Sequence, residues 1–542
     1  MQDLSFVFRN QQIDFGLGRC EIMVYSFTNA YSLDPDKTEI IGQGDLIQVS
    51  CGGLLTNGGQ TAADGSAAIH IRQENGRCRF DVRACIADSS EEIRSVKVCV
   101  SGLKAGDIIN LIDSRPMEIT EKGVILNYPE GWRTLGTPLV ILEQPAGDYL
   151  YFRSLDNEVR RKVFTFRRDR SGLSAELIFE ENAPCMSNSL TVSTWEIGYA
   201  PNVKSVYDAH RRHVESAYGL TKWEERRDVP EWARNISLIA SIHGQHWTGH
   251  IFRDYDAILN DLKRLSQKID PSRILAYLPG WEGRYYWKYG NYGPDERMGG
   301  AAGLHRLADG ARQLGVHLMP MYGINIAGIH HPGFMDWGDV SEARSPSGNI
   351  RRGSVDWDGS RHYDHGSGRT MNPGAPKWQN RLARQITCLS KEYGFDAAFL
   401  DIAAFWENDP NHSVYQGVCD LTSRLHENLD DFLIAGEGWY DALSAVIPLL
   451  QSGHTDGFLH WHDDADAPFF DTYARQFPHL CLGDPYRFST GVHEQGTNPQ
   501  WRAPLRKGII PTLTIVDGTL DNAGDRVDQI LSDANQYAEK YL

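Results

Sequence analysis

Two carboxylates in the C-terminal part of the chain stand out because of what surrounds them. Asp401 closes the segment AAFLD, so a charge follows Phe399 and Leu400 inside an otherwise apolar run. Glu437 sits in IAGEGWY, with Gly436 before it and Gly438 after it. Glycine on both sides permits a close approach of the backbone to a ligand. Two carboxylates on neighbouring elements can divide one reaction between them. One attacks or stabilises an oxocarbenium-like carbon. The other, with a raised pKa, protonates a poor leaving oxygen. Glycoside cleavage needs that division. The ordinary alternatives are structural: Asp401 capping the next helix or pairing with an arginine, Glu437 buried against a basic partner.

Further residues of binding type cluster at the ends of the apolar runs. They are His243, Trp281, Glu282, Trp287, Tyr322, Asn325, Trp439, His460, His462, Asp463 and Asp464. Aromatic faces stack on the C–H faces of sugar rings, while carboxylates, histidine and asparagine bond the hydroxyls. The His460-x-His462 pair with Asp463 and Asp464 also has the composition of a zinc site. Metal-dependent barrel hydrolases usually carry such a pair on the first strand. There the chain has His243 and His246, spaced by three, which point differently along an extended strand. No metal and no cofactor are therefore expected.

The elements that must hold these residues follow from periodicity. From residue 236 onward, strand-length apolar runs alternate with amphipathic helical stretches: ISLIASIHG, RILAYLPGWEG, VHLMPMYGIN, AAFLDIAAF, FLIAGEGWY, DGFLHWHDD, HLCLGDPYRF and IIPTLTIVDG. Near-continuous apolar strands between helices imply parallel strands buried on both faces. Eight such units in about 300 residues fit a (β/α)8 TIM barrel, whose active site lies at the C-terminal ends of the strands. Asp401 then ends strand four and Glu437 strand five. His460 to Asp464 end strand six, Asp484 strand seven and Asp517 strand eight. A doubly wound sheet is the alternative, but no GxGxxG follows the first strand. DALSAVIPLL and APFFDTYARQF read as helices.

The first 200 or so residues carry short alternating runs and a hairpin signal at Glu74-Asn75-Gly76-Arg77, as an antiparallel β-sandwich would. The expected organisation is a sandwich over 1–202, a helical linker over 203–235 and the catalytic barrel over 236–542.

Composition narrows the partners. Lys plus Arg is 54 against 71 Asp plus Glu, a formal charge of −17. So acidic a chain is a poor prospect for nucleic acid or an anionic membrane surface. No apolar run approaches the ~18 residues of a spanning helix. The opening MQDLSFVFRNQQIDFG lacks a basic region followed by an apolar run, and the nine cysteines contain no CxxC pair. A cytoplasmic protein acting on a small carbohydrate or glycoside is expected.

With Asp401 and Glu437 in place, residues 236–542 resemble the (β/α)8 glycoside hydrolases that carry an Asp nucleophile on strand four and a Glu acid/base on strand five. The α-amylase-like enzymes and endo-α-N-acetylgalactosaminidases belong to that group. LAYLPGWEGRYYWKYGNYGPDERMGG also resembles a set of poorly characterised bacterial glycosidase-like proteins in which a β-sandwich precedes the barrel. The resemblance implies Asp401 as nucleophile, Glu437 as acid/base and a retaining mechanism on an α-linked sugar. The chain departs from the α-amylase pattern at a third carboxylate, for which Asp463, Asp464 and Asp484 are open. Adjacent strands lie ~4.8 Å apart, which favours the ~5–5.5 Å carboxyl separation of retaining enzymes over the ~6.5–9.5 Å of inverting ones. The competing functions are a metal-dependent hydrolase of the amidohydrolase kind and a carbohydrate-binding protein without catalysis.

Overall fold

The computed structural model describes the chain except residues 1–5, 9–10, 14–18, 44, 75, 104–107, 112–113, 130–134, 145–146, 170–171, 247–248, 284–287, 351–367, 453–468, 479–504 and 523. Contacts divide it into two compact units. One is built on Met1–Gly219. The other consists of Leu220–Glu407, Asn411–Leu459 and Ala467–Leu542.

The first unit is a sandwich of two sheets. One contains Val124–Tyr128, Lys162–Asp169, Gly172–Glu180, Ile93–Leu103 and Arg19–Ser26 in that spatial order, paired antiparallel. The other runs through Leu139–Glu143, Tyr149–Ser154, Ser189–Ala200, Arg77–Ile86 and Gly65–Glu74, also antiparallel. Buried residues alternate with more exposed ones along Gly65–Glu74 and Arg77–Ile86, the period-two pattern of strands with one face inward. Aromatic rings join the two layers: Phe164 meets Trp195 and Phe152 meets Phe166, each edge-on at 5.2 Å. The helix Val203–Tyr218 is capped by the Asn202 side chain and stopped by Gly219 in the left-handed conformation.

The second unit is a nearly closed eight-stranded parallel barrel. Its strands are β1 (Leu238–Ile242), β2 (Ile274–Leu278), β3 (His317–Gly323), β4 (Ala397–Asp401), β5 (Leu433–Glu437), β6 (Leu449–Ser452), β7 (Arg475–Pro478) and β8 (Thr512–Ile515). β1 pairs with β8, and a parallel bridge from Gln476 to Ile509 ties β7 to the approach of β8. The larger helices around it are α1 (Tyr255–Leu265), α2 (Gly300–Leu314), α3 (Pro376–Tyr393), α4 (Val414–Asn428) and α5 (Gly524–Tyr541). Every residue of β1, β2, β4 and β5 is buried, as strands covered on both faces must be. Asp254 and Ser413 cap α1 and α4 with their side chains. Among the described residues no helix is long and apolar enough to cross a membrane.

Two strands lie earlier than the sequence suggested. β6 begins in the last two residues of the stretch read as the helix DALSAVIPLL, and β7 in the last three of APFFDTYARQF. Pro448 denies the first stretch a helix interior, leaving a single turn over Asp441–Ala445. A short apolar run cannot be assigned to helix or strand by periodicity alone. The segments read as strands six and seven, with His460, His462, Asp463, Asp464 and Asp484, lie outside the described residues.

Candidate active site

Strand register decides which side chains share the barrel interior. The rings of Tyr277 on β2, Phe399 on β4 and Phe477 on β7 meet one another at 4.4 to 6.0 Å, a contact available only across the interior. Asp401 lies two residues beyond Phe399 on the same face. Phe399 pairs with Ala435, which puts Glu437 on that face too. Glu437 in turn pairs with Gln451, and Gly323 with Asp401. Gly323, Asp401, Glu437 and Gln451 thus form one inward row at the C-terminal ends of β3 to β6.

The two carboxyl groups are hydrogen-bonded to each other, Glu437 donating to Asp401. Asp401 Oδ2 also accepts from the Tyr289 hydroxyl at 2.8 Å. Glu437 Oε2 accepts from the Ile402 amide at 2.9 Å. Burial raises the pKa of Asp401, while the bonds from Glu437 and Tyr289 pull it back. Burial raises Glu437 well above the ordinary carboxylate range, and the neighbouring Asp401 charge adds to the rise. The environments therefore split the pair into one carboxylate and one acid.

Local backbone geometry holds this arrangement. Ile402 has φ +55°, the left-handed region, which is unusual for a β-branched residue. That turn aims its amide back at Glu437. Strain of this kind costs on the order of 1–3 kcal/mol and persists where the surroundings over-determine it. The glycines around Glu437 serve the chain itself rather than a ligand. A Cβ at Gly436 would stand 2.8 Å from Cβ of Ala403, in the turn after β4. Gly438 adopts φ +77°.

The other expected residues separate into groups. His243 is buried just beyond β1, its Nε2 3.3 Å from Ser241 Oγ, and it continues the inward series of Ser241. Trp439 is buried and donates to Ser444 Oγ at 3.0 Å. Asn325 is buried two residues beyond β3, with Oδ1 unpartnered among the described residues. Trp281 is fully buried, donates to the Met321 carbonyl at 3.0 Å and packs edge-on against Tyr322 and Phe395. Tyr322 alternates with Gly323 and so points away from the inward row, toward Trp281 and Tyr292. Those two aromatics act as packing. Glu282 is fully buried, and neither carboxyl oxygen has a partner on another described residue. Burial pushes it up to about 8, with Lys288 opposing and Asp401 reinforcing the rise. Trp287 lies outside the described residues. Among the described residues, no group of three His, Cys, Asp or Glu side chains is arranged to hold a metal ion.

Sequence reasoning missed Tyr289, Ile402 and Gln451. Gln451 was hidden by the misplaced sixth strand. Tyr289 lay in view inside YYWKYGNYG, but nothing local ties that loop to Asp401.

No family model matches the chain, and no curated protein matches it. Solved structures do. The alpha-N-acetylgalactosaminidase NagBb from Bifidobacterium bifidum, ligand-free, aligns at TM-score 0.66 and 12% identity, over 94% of this chain and 89% of that one. The same enzyme in its Gal-NHAc-DNJ complex aligns at TM-score 0.68 and 12% identity, over 96% and 87%. A double variant of the GH36 alpha-galactosidase AgaA from Geobacillus stearothermophilus, in complex with raffinose, aligns at 0.52 and 9%, over 98% and 76%. The likeness is one of fold. It spans the sandwich and the barrel together.

Proposed function

We propose that this protein is a retaining glycoside hydrolase acting on a small α-linked glycoside, with Asp401 as nucleophile and Glu437 as acid/base. The observation that carries the reading is the buried, mutually hydrogen-bonded pair at the ends of β4 and β5, in which burial and the neighbouring Asp401 raise Glu437 well above the ordinary carboxylate range. A hydrogen-bonded pair on adjacent strands favours the shorter carboxyl separation of retaining enzymes over the wider one that seats a water.

When a sugar enters, the leaving-group oxygen replaces Asp401 as the acceptor for Glu437. An Asp401 oxygen attacks the anomeric carbon as the bond to the aglycone breaks, and the Glu437 proton passes to the departing oxygen. A glycosyl ester on Asp401 results. Glu437, now a carboxylate, takes a proton from water. That water attacks the anomeric carbon, the ester bond breaks and Asp401 is regained. Gln451, paired in register with Glu437, is a partner for sugar hydroxyls, and His243, on the inward face just beyond β1, is a second candidate. Trp439, Asn325 and Glu282 are candidates behind them, as are Trp287, His460, His462, Asp463 and Asp464. A cytoplasmic setting agrees with a small substrate. The structural neighbours make α-N-acetylgalactosaminides and α-galactosides the first choice.

The test is a panel of p-nitrophenyl α- and β-glycosides, with the released anomer followed by NMR before mutarotation. Turnover of an α-glycoside with retention is expected, undiminished after dialysis against a chelator. An inverted product means the wrong pair, and zinc-restored activity means the metallohydrolase. A sugar that binds and is never cleaved means a binding protein.

A further inference from the structure

The geometry points to Tyr289 as a positioning residue that keeps Asp401 ionised and fixes which of its oxygens attacks; this rests on Asp401 being the nucleophile. Tyr289 is fully buried in the loop after β2, and its hydroxyl donates to Asp401 Oδ2 at 2.8 Å. With Oδ2 held, Oδ1 is the oxygen for the attack once Glu437 has turned to the leaving group.

The mount of this tyrosine is built from several elements. Its carbonyl accepts from His331 Nε2 at 3.0 Å and from the Gly328 amide at 2.9 Å. Burial drives His331 down to about 4, so above that pH it is a neutral donor rather than a second charge near the site. The next carbonyl, of Gly290, accepts from Arg381 and Gln385 on α3. Gln385 also accepts from the Tyr292 amide at 2.7 Å. The ring itself lies across the end of β3, where the strand has no side chain: a Cβ on Gly323 would fall 2.1 Å from Tyr289 Cδ2. An exposed or mobile tyrosine would need none of this.

The chemical need is specific. Asp401 is buried, which favours its neutral form, and the bond from Glu437 that opposes this is given up when Glu437 turns to the leaving oxygen. A neutral Asp401 is no nucleophile. A hydroxyl donating to one oxygen stabilises the charge and removes that oxygen from competition. Bonds to charged groups of this kind correspond to a rate effect of roughly 10- to 100-fold when lost.

The experiment compares Tyr289→Phe, Gly323→Ala, Asp401→Asn and wild type on p-nitrophenyl α-N-acetylgalactosaminide and p-nitrophenyl α-galactoside. Tyr289→Phe should lower kcat by about 10- to 100-fold with little change in KM. It should also move the acidic limb of the kcat/KM profile to higher pH. Gly323→Ala displaces the ring and should reproduce both effects, and the double variant should be no worse than either single one. Carbodiimide modification of Asp401, mapped by peptide mass spectrometry against pH, reads the same ionisation without turnover, and its midpoint should also rise in Tyr289→Phe. An inactive Asp401→Asn beside a Tyr289→Phe enzyme with unmoved acidic limb and modification midpoint overturns the role of Tyr289 alone. An active Asp401→Asn overturns the nucleophile assignment itself.

Discussion

Buried carboxylates occur in both units, and they are treated in opposite ways. In the sandwich, burial works against the charge of Asp156, but Lys162 and Arg160 more than offset it and its pKa is lowered. Lys162 Nζ lies 2.7 Å from Asp156 Oδ2 and is itself fully buried. Glu196 is likewise lowered: Arg153 overcomes burial, helped by bonds from Arg79 and Tyr151. In the barrel, Asp401, Glu437 and Glu282 are as deeply buried, and all three are raised. Among the described residues no Lys or Arg forms an ion pair with any of them. A fold that only needs to bury a carboxylate supplies a cation. One that withholds it keeps a proton available, as acid–base chemistry requires.

The comparison breaks first if the barrel pair proves structural. Asp401→Asn and Glu437→Gln should each lower kcat on a natural substrate by at least about 10²–10⁴-fold. Glu437→Gln should spare the first step for substrates with very good leaving groups, while Asp401→Asn should not. Thermal unfolding of both variants should match or exceed the wild type, because each takes an ionisable carboxyl out of a buried site that disfavours its charged form. A large loss of stability in either variant would make the pair a structural one.

The sandwich network should behave in the reverse sense. Lys162→Met leaves Asp156 buried beside Arg160 alone and should cost about 3–5 kcal/mol in denaturant unfolding. Because Asp156 and Glu196 have lowered native pKa values, their contribution is present above the ordinary carboxylate range. It is lost as pH falls through those native values. Unfolding that sets in earlier on acidification in Lys162→Met than in wild type would support this. A variant as stable as wild type at neutral pH would mean the cation is dispensable.

The sequence carried the Asp401 and Glu437 positions because each is a charge inside an apolar run, and a parallel barrel puts successive strand ends at one mouth. It carried six of the barrel strands and the long helices for the same reason: their periodicity is long enough to be unambiguous. It could not carry β6 and β7, each four residues long and flanked by stretches of helical composition. Nor could it show that Tyr322 turns away from Asp401. A strand end specifies alternation only once its register is known, and register is set by neighbours distant in sequence. Tyr289 and Ile402 are harder still. Their roles rest on one hydroxyl distance and one backbone angle, neither of which has a local signature.

Glu282 offers the finest test of the comparison, since it isolates burial without a cation in a residue that holds no part of the proposed proton transfer. Its native pKa is pushed up to about 8, while an unfolded glutamate titrates near 4.3. Below the unfolded value both states are protonated and the residue is neutral toward stability. Between that value and about 8 the native state keeps a proton that the unfolded state releases. Stability must therefore fall as pH rises through this window, by up to about 1.4 kcal/mol per pH unit. Glu282→Gln keeps the shape and cannot ionise. The wild-type and Gln curves of unfolding free energy should coincide near pH 4 and separate steadily toward pH 8, with the Gln variant the more stable. Asp401 and Glu437 also titrate upward, but they do so in both proteins, so the difference curve belongs to Glu282. Parallel curves from pH 5 to 8 would mean that Glu282 ionises at an ordinary value and has found a partner, and the barrel would then treat this carboxylate as the sandwich treats Asp156.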